Sequence, residues 1–416
     1  MTPLASAPRR APELDHRRRT AAPPQPWSVA RLVAFRFWFA FVAAALFPFP
    51  AGALPGTTWL ADAVQKGWDV VVIAVGARVL HLGHPVTAAP NGSGDRTYDW
   101  IALGVELAIA ATAAAVWTAL DRRRAHPRLR EALRVAIRYQ LALVMVGYGL
   151  AKIVVRQFPP PSAARLLEPF GDASPMGLLW TFMGASRGYC IFTGAAEVVG
   201  AGLLFFRRTT TLGALVLLGV LVNVVALNFF YDVPVKIYSS FLLVEVLWLL
   251  APHARALGRV LVGGGAARVV DPPLRLDSAW QRRARWIGKA SFVALAAVGA
   301  VLDFGAADDG AANAPFDGFY DVAAFAPPEA GGDARWRRVV VGPYGGFCVQ
   351  MGDGHLERMR LTADADAPEI ELRTGNDVSK LWSSRPDAAR WRLEGTFAGR
   401  PIDVTLVRAE PPRSFL

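Results

Sequence analysis

The chain has 416 residues, and 53% of them are hydrophobic, in long runs rather than at scattered positions. This length accommodates a membrane-embedded bundle and one small soluble domain. The formal net charge is +11, but the arginines cluster in alternate loops between the apolar runs, which is typical of the positive-inside rule and argues against a nucleic-acid-binding face.

The two cysteines, Cys190 and Cys348, are too few for a disulfide framework or a thiolate metal cage. They form no CxxC motif, which excludes dithiol chemistry of the thioredoxin type. A single bridge between them is conceivable, but two unrelated thiols are the favoured interpretation. None of the six histidines lies within a predicted span, which excludes a bis-histidine haem and a histidine-ligated copper site in the membrane. We predict no metal site.

Residues 1–30 are rich in Arg, Pro and Ala and predict a disordered cytoplasmic tail. The run 32–54 predicts the first span of a membrane domain that occupies residues 31–304. Its Ala51-Gly52-Ala53 sequence is compatible with a signal-peptidase site, but the long basic lead and Arg36 favour an uncleaved anchor.

The segment 57–82 is apolar but contains several charges. Asp62, Lys66 and Asp69 recur at helical spacing, so we predict a helix that lies at the membrane interface. A complete span here would reverse the orientation of every later helix, which the arginine pattern opposes.

Six further apolar runs approach the ~20 residues that a bilayer-spanning helix needs. They are 100–120, 135–155, 189–206, 212–230, 237–250 and 286–304. With the N-terminus inside, seven spans place the basic inter-helix loops in the cytoplasm and residues 305–416 outside. The apolar run 174–186 is too short to cross, and we expect it on the outer surface of the bundle.

The sequence pattern changes from about residue 314, where short alternating runs are separated by turns such as Gly352-Asp353-Gly354. The runs are 319–325, 336–341, 347–351, 356–361, 370–372, 381–383, 391–397 and 402–407. This pattern predicts that residues 314–416 form an antiparallel sheet closed into a small barrel or sandwich. The predicted fold class is therefore an α-helical polytopic membrane bundle with a C-terminal antiparallel β-barrel- or sandwich-like domain.

Several ionisable and polar side chains are set into the apolar runs at nearly matching depth. Charge in hydrocarbon is costly, so such residues usually face a cavity and mark a site. The predicted catalytic residues are Lys152 and Glu197. The predicted binding residues are Tyr148, Asn228, Tyr231, Asp232, Lys236 and Glu106. Glu245 lies deeper and is interpreted as a separate helix–helix contact.

Lysine is rare in this chain, with only five of the 45 basic residues. A buried lysine can lose its proton, whereas arginine stays charged. Lys152 shares a helix face with Tyr148, and either Glu197 or Asp232 can supply the opposite charge. Lys152 is therefore either a proton-transfer group held by Glu197 or half of a structural ion pair that snorkels outward. The residues leave both interpretations open.

Three short motifs carry a family resemblance. Tyr148-Gly149-Leu150-Ala151-Lys152 ends one predicted helix, Ala196-Glu197-Val198-Val199-Gly200 lies in the next, and Leu203–Arg208 includes a basic turn. With these motifs, residues 135–251 resemble the DoxX family of bacterial membrane proteins. The first two spans, the seventh span and the outer domain extend beyond the small DoxX proteins.

The resemblance implies a four-helix core in a bacterial inner membrane and a link to quinone-coupled sulfur oxidation or membrane redox complexes. The DoxX family is also distantly similar to the membrane part of vitamin K-dependent carboxylases, in which a lysine near such a motif acts as a base on a reduced quinone. Lys152 is the matching position. No motif encodes a cofactor, and the ligand implied is a quinone or a lipid-like molecule, with a periplasmic protein as a further partner.

The expected function is a quinone-linked redox subunit with an outward-facing polar pocket. In it, Lys152 transfers protons, Glu197 holds Lys152, and Asp232 and Lys236 lie at the mouth. The alternative is a non-catalytic assembly protein, or a lipid- or cargo-binding protein, that acts through the outer β domain. A relative of the substrate-assisted carboxylases or epoxidases is a third interpretation.

Overall fold

The computed structural model describes residues 26–49, 56–264, 316–326, 335–342, 346–363, 368–385, 387 and 389–411, with short pieces between 278 and 294. The α-helices in these residues are α1 (Val29–Leu46), α2 (Thr58–Arg78), α3 (Thr97–Leu120), α4 (Pro127–Ile153), α5 (Ala163–Leu167), α6 (Pro175–Gly184), α7 (Arg187–Leu204), α8 (Thr210–Phe230), α9 (Lys236–Leu250) and α10 (Ala254–Leu261). Every predicted helix is present, from the first at 32–54 up to the one at 237–250. However, α1 ends earlier than predicted, at Leu46, because Phe47 precedes a proline and the residue before proline disfavours helical backbone.

Five helical segments of the described chain are long and apolar enough to cross a membrane, by length and composition. They are α1, α3, α4, α8 and the segment Lys236–Leu261, which joins α9 and α10. These apolar helices indicate a membrane protein. The helix α7 is not among the five, since Arg187, Glu197 and several glycines reduce its apolar content, so the predicted count of seven spans is not confirmed.

Three predictions concern parts of the chain that the structure describes little or not at all. The predicted tail at 1–30 lies almost wholly outside the described residues, and so does the Ala51-Gly52-Ala53 sequence. The predicted span 286–304 has only a few described positions.

The helix α2 is held to the start of α3 by a polar contact. The Asp69 carboxylate Oδ1 accepts hydrogen bonds from the Tyr98 hydroxyl at 2.6 Å and from Gln65 Nε2 at 2.8 Å. Of the three charged residues that suggested an interfacial helix, Asp62 and Lys66 are exposed, whereas Asp69 faces the protein.

The described chain divides into two compact units. One contains α1 and residues 105–133, and the other contains residues 56–104 and everything from Arg134 onward. In the first unit, the buried Arg36 donates from Nη2 to the carbonyl oxygens of Asp121 at 3.0 Å and Arg123 at 3.4 Å. A cation thus satisfies carbonyls just beyond the C-terminal end of α3, where the helix dipole favours positive charge.

His126 lies in the same unit, buried against the rings of Trp27, Phe35 and Trp117. Burial lowers the pKa of His126 below its usual 6.5, and the nearby Arg36 and Arg123 charges lower it further, against the opposing effect of Asp121. The folded state therefore favours the neutral imidazole.

We expect the free energy of unfolding to fall as the pH drops below 6.5, because only the unfolded chain then takes up a proton readily at His126. Above pH 6.5, the contribution of the neutral His126 to the free energy of unfolding should be fully present. Thermal unfolding of the purified chain at several pH values checks this. His126→Gln should flatten the acid limb, whereas the exposed His84→Gln should leave it unchanged; equal curves for wild type and His126→Gln would contradict the assignment.

The C-terminal domain is a closed antiparallel barrel in which each strand pairs with its neighbours in chain order and β1 pairs with β8. The strands are β1 (Gly318–Ala326), β2 (Trp336–Gly342), β3 (Gly346–Met351), β4 (Leu356–Ala363), β5 (Glu369–Thr374), β6 (Asp377–Ser384), β7 (Arg390–Phe397) and β8 (Arg400–Ala409). All eight predicted runs are strands, and the predicted alternatives resolve in favour of a barrel rather than a sandwich.

Alternating apolar residues fill the inside of the barrel. Trp336, Phe347 and Trp391 are almost completely buried there, and the Trp391 Nε1 donates to Ser383 Oγ at 2.8 Å. The inner residues come from every strand, so the barrel has its own hydrophobic core.

Candidate functional site

Two glycines let α4 and α7 approach until their backbones touch. A Cβ atom added at Gly149 would lie 2.7 Å from the Gly194 carbonyl oxygen, and one added at Gly194 would lie 2.5 Å from the Gly149 carbonyl oxygen. Both distances are below any normal contact, so only glycine fits either position. Such small-residue crossings are how helices associate closely in membranes. The crossing places the following turn of α4 against α7.

At this crossing Lys152 meets Glu197 in a buried ion pair. Lys152 Nζ lies 2.8 Å from Glu197 Oε1 and 2.9 Å from Oε2, and the two residues are 7% and 1% exposed. The ammonium group also lies 5.8 Å from the centroid of the Tyr148 ring. Two of the three lysine N–H donors reach the carboxylate, which leaves the third for an acceptor beside the pair.

A second glycine pair joins α7 to α8. A Cβ atom added at Gly200 would lie 2.7 Å from Leu217 Cδ2, and one added at Gly213 would lie 2.7 Å from the Gly200 carbonyl oxygen. Further along α8, the buried Asn228 donates from Nδ2 to Ser239 Oγ of α9 at 2.9 Å. The four helices α4, α7, α8 and α9 are thus linked in sequence around the Lys152–Glu197 pair.

A cavity of about 520 Å³ lies beside this pair. Its polar wall includes Lys152, Glu197, Tyr148 and Asn228, and α6 contributes an apolar wall. Large aromatic and sulfur-containing side chains are prominent in the lining: Phe158, Met176, Trp180, Phe182, Tyr189 and Phe192. The arrangement is an apolar pocket with a buried ion pair on one side, which is the usual character of a small-molecule site.

Tyr231, Asp232 and Lys236 are not among the described residues that line the cavity, but they flank Val233, Pro234 and Val235, which are. The turn between α8 and α9 therefore borders the cavity, and the placement of Asp232 and Lys236 at its mouth stays a prediction. Asp232 accepts from Lys236 Nζ at 2.8 Å and its side chain is mostly exposed. Of the two carboxylates that could supply the opposite charge to Lys152, Glu197 does so, whereas Asp232 pairs with Lys236 four residues further along.

Glu106 is half-buried on α3, in the other compact unit. Its predicted membership of the same pocket stays a prediction. Cys190 and Cys348 are both free thiols, so the two-thiol interpretation is confirmed. No group of three or more His, Cys, Asp or Glu side chains in the described ranges is arranged to hold a metal ion.

The start of α9 is held by Asp95, a residue that the sequence pattern did not single out. Asp95 accepts from the backbone N–H groups of Lys236 at 2.8 Å and Ile237 at 3.0 Å. It therefore satisfies two free donors at a helix N-terminus, as a capping residue does. Because the cap comes from more than a hundred residues away, no local motif could have revealed it.

A second feature missed by the sequence pattern is an apolar row on the outside of the barrel. Phe319 pairs with Val340, Val340 pairs with Cys348, and Cys348 pairs with Arg358, so these side chains form one row across four strands. The helix α5 covers this row, with Leu167 packed against Phe319 and Val340. The signal in the sequence was the unbroken run Val339-Val340-Val341, which departs from the alternation of a surface strand.

Ionic contacts lie at the edge of the surface where α5 docks on the barrel, which we call the docking surface. Arg358 Nη2 donates to Glu168 Oε1 at 2.6 Å, Arg165 also binds the Glu168 carboxylate, and His355 lies 3.5 Å from Asp172. The residues that follow, from Met176 to Met183, form the apolar wall of the cavity. The barrel thus contacts α5 and the residues that follow it, and this segment leads directly into α6 and the cavity wall.

We expect Arg358→Gln to loosen this segment by about 1 kcal/mol, because Arg358 is half-exposed and its ion pair is partly screened. Amide hydrogen exchange over residues 163–183 should accelerate about fivefold at that free-energy cost, while the barrel strands stay protected. Arg360→Gln is the matched control, since Arg360 is two residues further along β4 on the same exposed face. Equal exchange in the two variants would contradict the docking role.

Glu245 is the most deeply buried carboxylate of the described bundle. It is 0% exposed on α9, and neither of its oxygens has a hydrogen-bond partner among the described residues. Glu245 is thus buried without a hydrogen bond or ion pair to any described residue, and its interpretation as a separate helix–helix contact stays a prediction.

Comparison with known proteins gives one informative similarity. The chain is 37% identical over 129 residues to the uncharacterized protein YwoB of Bacillus subtilis (strain 168), an alignment that covers 30% of this chain and 80% of YwoB. No protein-family model matches the sequence, and no solved structure matches it. The resemblance to DoxX proteins thus stays a prediction. At this identity and coverage, the chain belongs to the same protein family as YwoB.

Proposed function

We propose that this membrane protein binds a quinone, or a similar isoprenoid lipid, in the cavity beside Lys152 and Glu197. In this proposal the ion pair exchanges protons with the ligand's head group, as a quinone-linked redox subunit of DoxX type requires. The observation that carries the proposal is a buried Lys–Glu pair on the wall of a cavity of about 520 Å³. An ion pair that only locked two helices would need no such space beside it.

The residues of the cavity fit a quinone. A quinone has a flat aromatic head with two carbonyl oxygens and an apolar isoprenoid tail. The free third N–H of Lys152 suits a carbonyl or phenolate oxygen, and the rings of Phe158, Trp180 and Phe192 suit the apolar parts. The cavity volume is within the range of sites for molecules of this size.

The proposed chemistry of the pair follows from its hydrogen bonds. A bound quinone would supply the redox chemistry, and this chain would handle the protons that accompany it. Lys152 can give a proton to a ligand oxygen while Glu197 holds the ammonium in place, and the reverse transfer restores the pair. Tyr148, whose ring lies beside the Lys152 ammonium, would orient the head group.

The proposed topology has seven spans in a bacterial inner membrane. It adds α7 and the segment 286–304 to the five segments described above. The N-terminus would lie in the cytoplasm, and the barrel would lie outside with the docked segment between α4 and α7. The basic residues that follow α3 and α7 support this orientation through the positive-inside rule.

The second candidate is a non-catalytic assembly, lipid- or cargo-binding protein that acts through the barrel, for example on a periplasmic protein. The observation that favours it is the docking of the barrel on the chain that forms the cavity wall. A partner that engages the barrel could then act on the cavity without any turnover by Lys152.

The test is the quinone and lipid content of the detergent-purified chain, measured by mass spectrometry. We expect a stoichiometric quinone in wild type and its loss in the double variant Lys152→Met with Glu197→Leu, which removes both charges together. Lys380→Met, which removes an exposed lysine of the barrel, is the control. Absence of quinone from wild type, or equal retention in the double variant, would overturn the proposal and favour the second candidate.

A further inference from the structure

The buried carboxylate of Glu245 lies one helical turn beyond the floor of the cavity. On α9, Tyr238 and Leu242 line the cavity, and Glu245 follows Leu242 by three residues and Tyr238 by seven. These spacings put all three side chains on one helix face. Glu245 therefore lies on the cytoplasmic side of the cavity in the proposed topology, beneath the ligand site.

No cation of the described residues forms an ion pair with this carboxylate. Its oxygens have no hydrogen-bond partner in the described chain. The buried arginine Arg138 of α4 donates to the Leu204 carbonyl oxygen at 2.6 Å, and Arg134 contacts His253. A carboxylate ion without a counter-charge or hydrogen bonds is so costly in a bundle interior that the group takes up a proton instead.

Tyr238 connects this group to the cavity. Tyr238 lies on the same face of α9 as Glu245 and lines the cavity. Tyr148 and Glu197 line the same cavity. The polar groups therefore run from Glu245 through Tyr238 and Tyr148 to the Lys152–Glu197 pair.

We propose that Glu245 is a neutral carboxylic acid with an exchangeable proton and that it is the inner proton-transfer group of the cavity. A bridging water molecule would carry the Glu245 proton to the Tyr238 hydroxyl oxygen, and Tyr238 would release its own hydroxyl proton toward the cavity. Tyr238 ends neutral, Glu245 ends as a carboxylate, and a proton acceptor in the cavity ends protonated. Delivery to the cavity rests on the proposed function, whereas the protonation of Glu245 does not.

Infrared spectroscopy of the full chain in detergent tests the protonation without any ligand. Wild type should show a carboxylic-acid C=O band that shifts in D₂O and is lost in Glu245→Gln. Glu106→Gln is the matched control, because Glu106 is a half-buried carboxyl on α3 in the other compact unit and should leave the band in place. A wild-type spectrum without a band lost in Glu245→Gln would overturn the inference.

Tyr238→Phe tests the route and keeps the test decisive if Glu245→Gln does not fold. This variant should keep the Glu245 band but slow its shift after transfer to D₂O by about a hundredfold, the lower end of what a positioned proton-transfer group contributes. An unchanged rate would overturn the role of Tyr238.

Addition of a short-chain ubiquinone analogue separates the two proposals. A shift of the Glu245 band on binding supports the coupling. Binding measured by mass spectrometry with no change in the band would overturn the coupling while the proposed function stands. Failure of the analogue to bind would count against the proposed function, and the ligand-free spectrum would still decide the protonation of Glu245.

Discussion

Removal of Lys152 alone, as Lys152→Met, is expected to lower the free energy of unfolding by about 3–5 kcal/mol, because it leaves the Glu197 carboxylate buried and unpaired. Reversible unfolding in mixed detergent micelles, followed by circular dichroism, measures this loss. Glu197→Leu alone should have an effect of similar size, since it leaves the lysine ammonium without its counter-charge.

The double variant Lys152→Met with Glu197→Leu should recover most of that loss. An apolar pair of similar volume avoids the desolvation of two charges, so such replacements of buried ion pairs are often neutral or even stabilising. A thermodynamic cycle over the four proteins gives the coupling between the residues. A loss of less than about 1 kcal/mol in each single variant, as at exposed ion pairs, would contradict this prediction. It would show that water in the cavity solvates the two charges.

Gly194→Ala is expected to cost about 1–3 kcal/mol, the usual range for overpacking, and to lie at its upper end. The added methyl group would lie 2.5 Å from the Gly149 carbonyl oxygen and 2.9 Å from Lys152 Cβ, and backbone cannot move aside as a flexible side chain can. The two helices must separate, which also pulls Lys152 away from Glu197.

Gly202→Ala is the matched control on the same helix, because nothing lies within 4 Å of a Cβ atom added there. It should be neutral or slightly stabilising, since alanine favours helix over glycine. The same unfolding measurement compares the two variants, and quinone content reports whether the site is lost with the crossing. Equal stabilities of the two variants would show that the Gly149–Gly194 contact does not hold α4 to α7.

The amino-acid sequence predicted the elements of this fold well, for physical reasons that are local. Helices follow from long apolar runs, and the eight strands follow from alternation and glycine-rich turns, both of which depend on near neighbours in the chain. The Lys152–Glu197 pairing was also accessible, because a lysine and a glutamate within apolar runs at similar depth have few other ways to be neutralised.

Other features depended on contacts that no local pattern encodes. The cap that Asp95 places on α9 joins residues more than a hundred positions apart. Asp232 was one of two carboxylates that could pair with Lys152, yet a lysine one helical turn away was a closer partner. Closure of the sheet into a barrel depends on the β1–β8 pairing, which the individual strands do not specify.

The barrel and the bundle cannot be divided cleanly near residue 314. A fragment that begins there keeps the residues that fill the barrel, but it uncovers Phe319, Val340 and Leu356, which α5 covers in the whole chain. An apolar stripe of this kind on a soluble domain favours self-association. A soluble form of the barrel that does not self-associate should therefore need residues 163–168, either fused to it or added as a peptide. The boundary between the membrane part and the soluble part then lies at α5 rather than in the chain before β1.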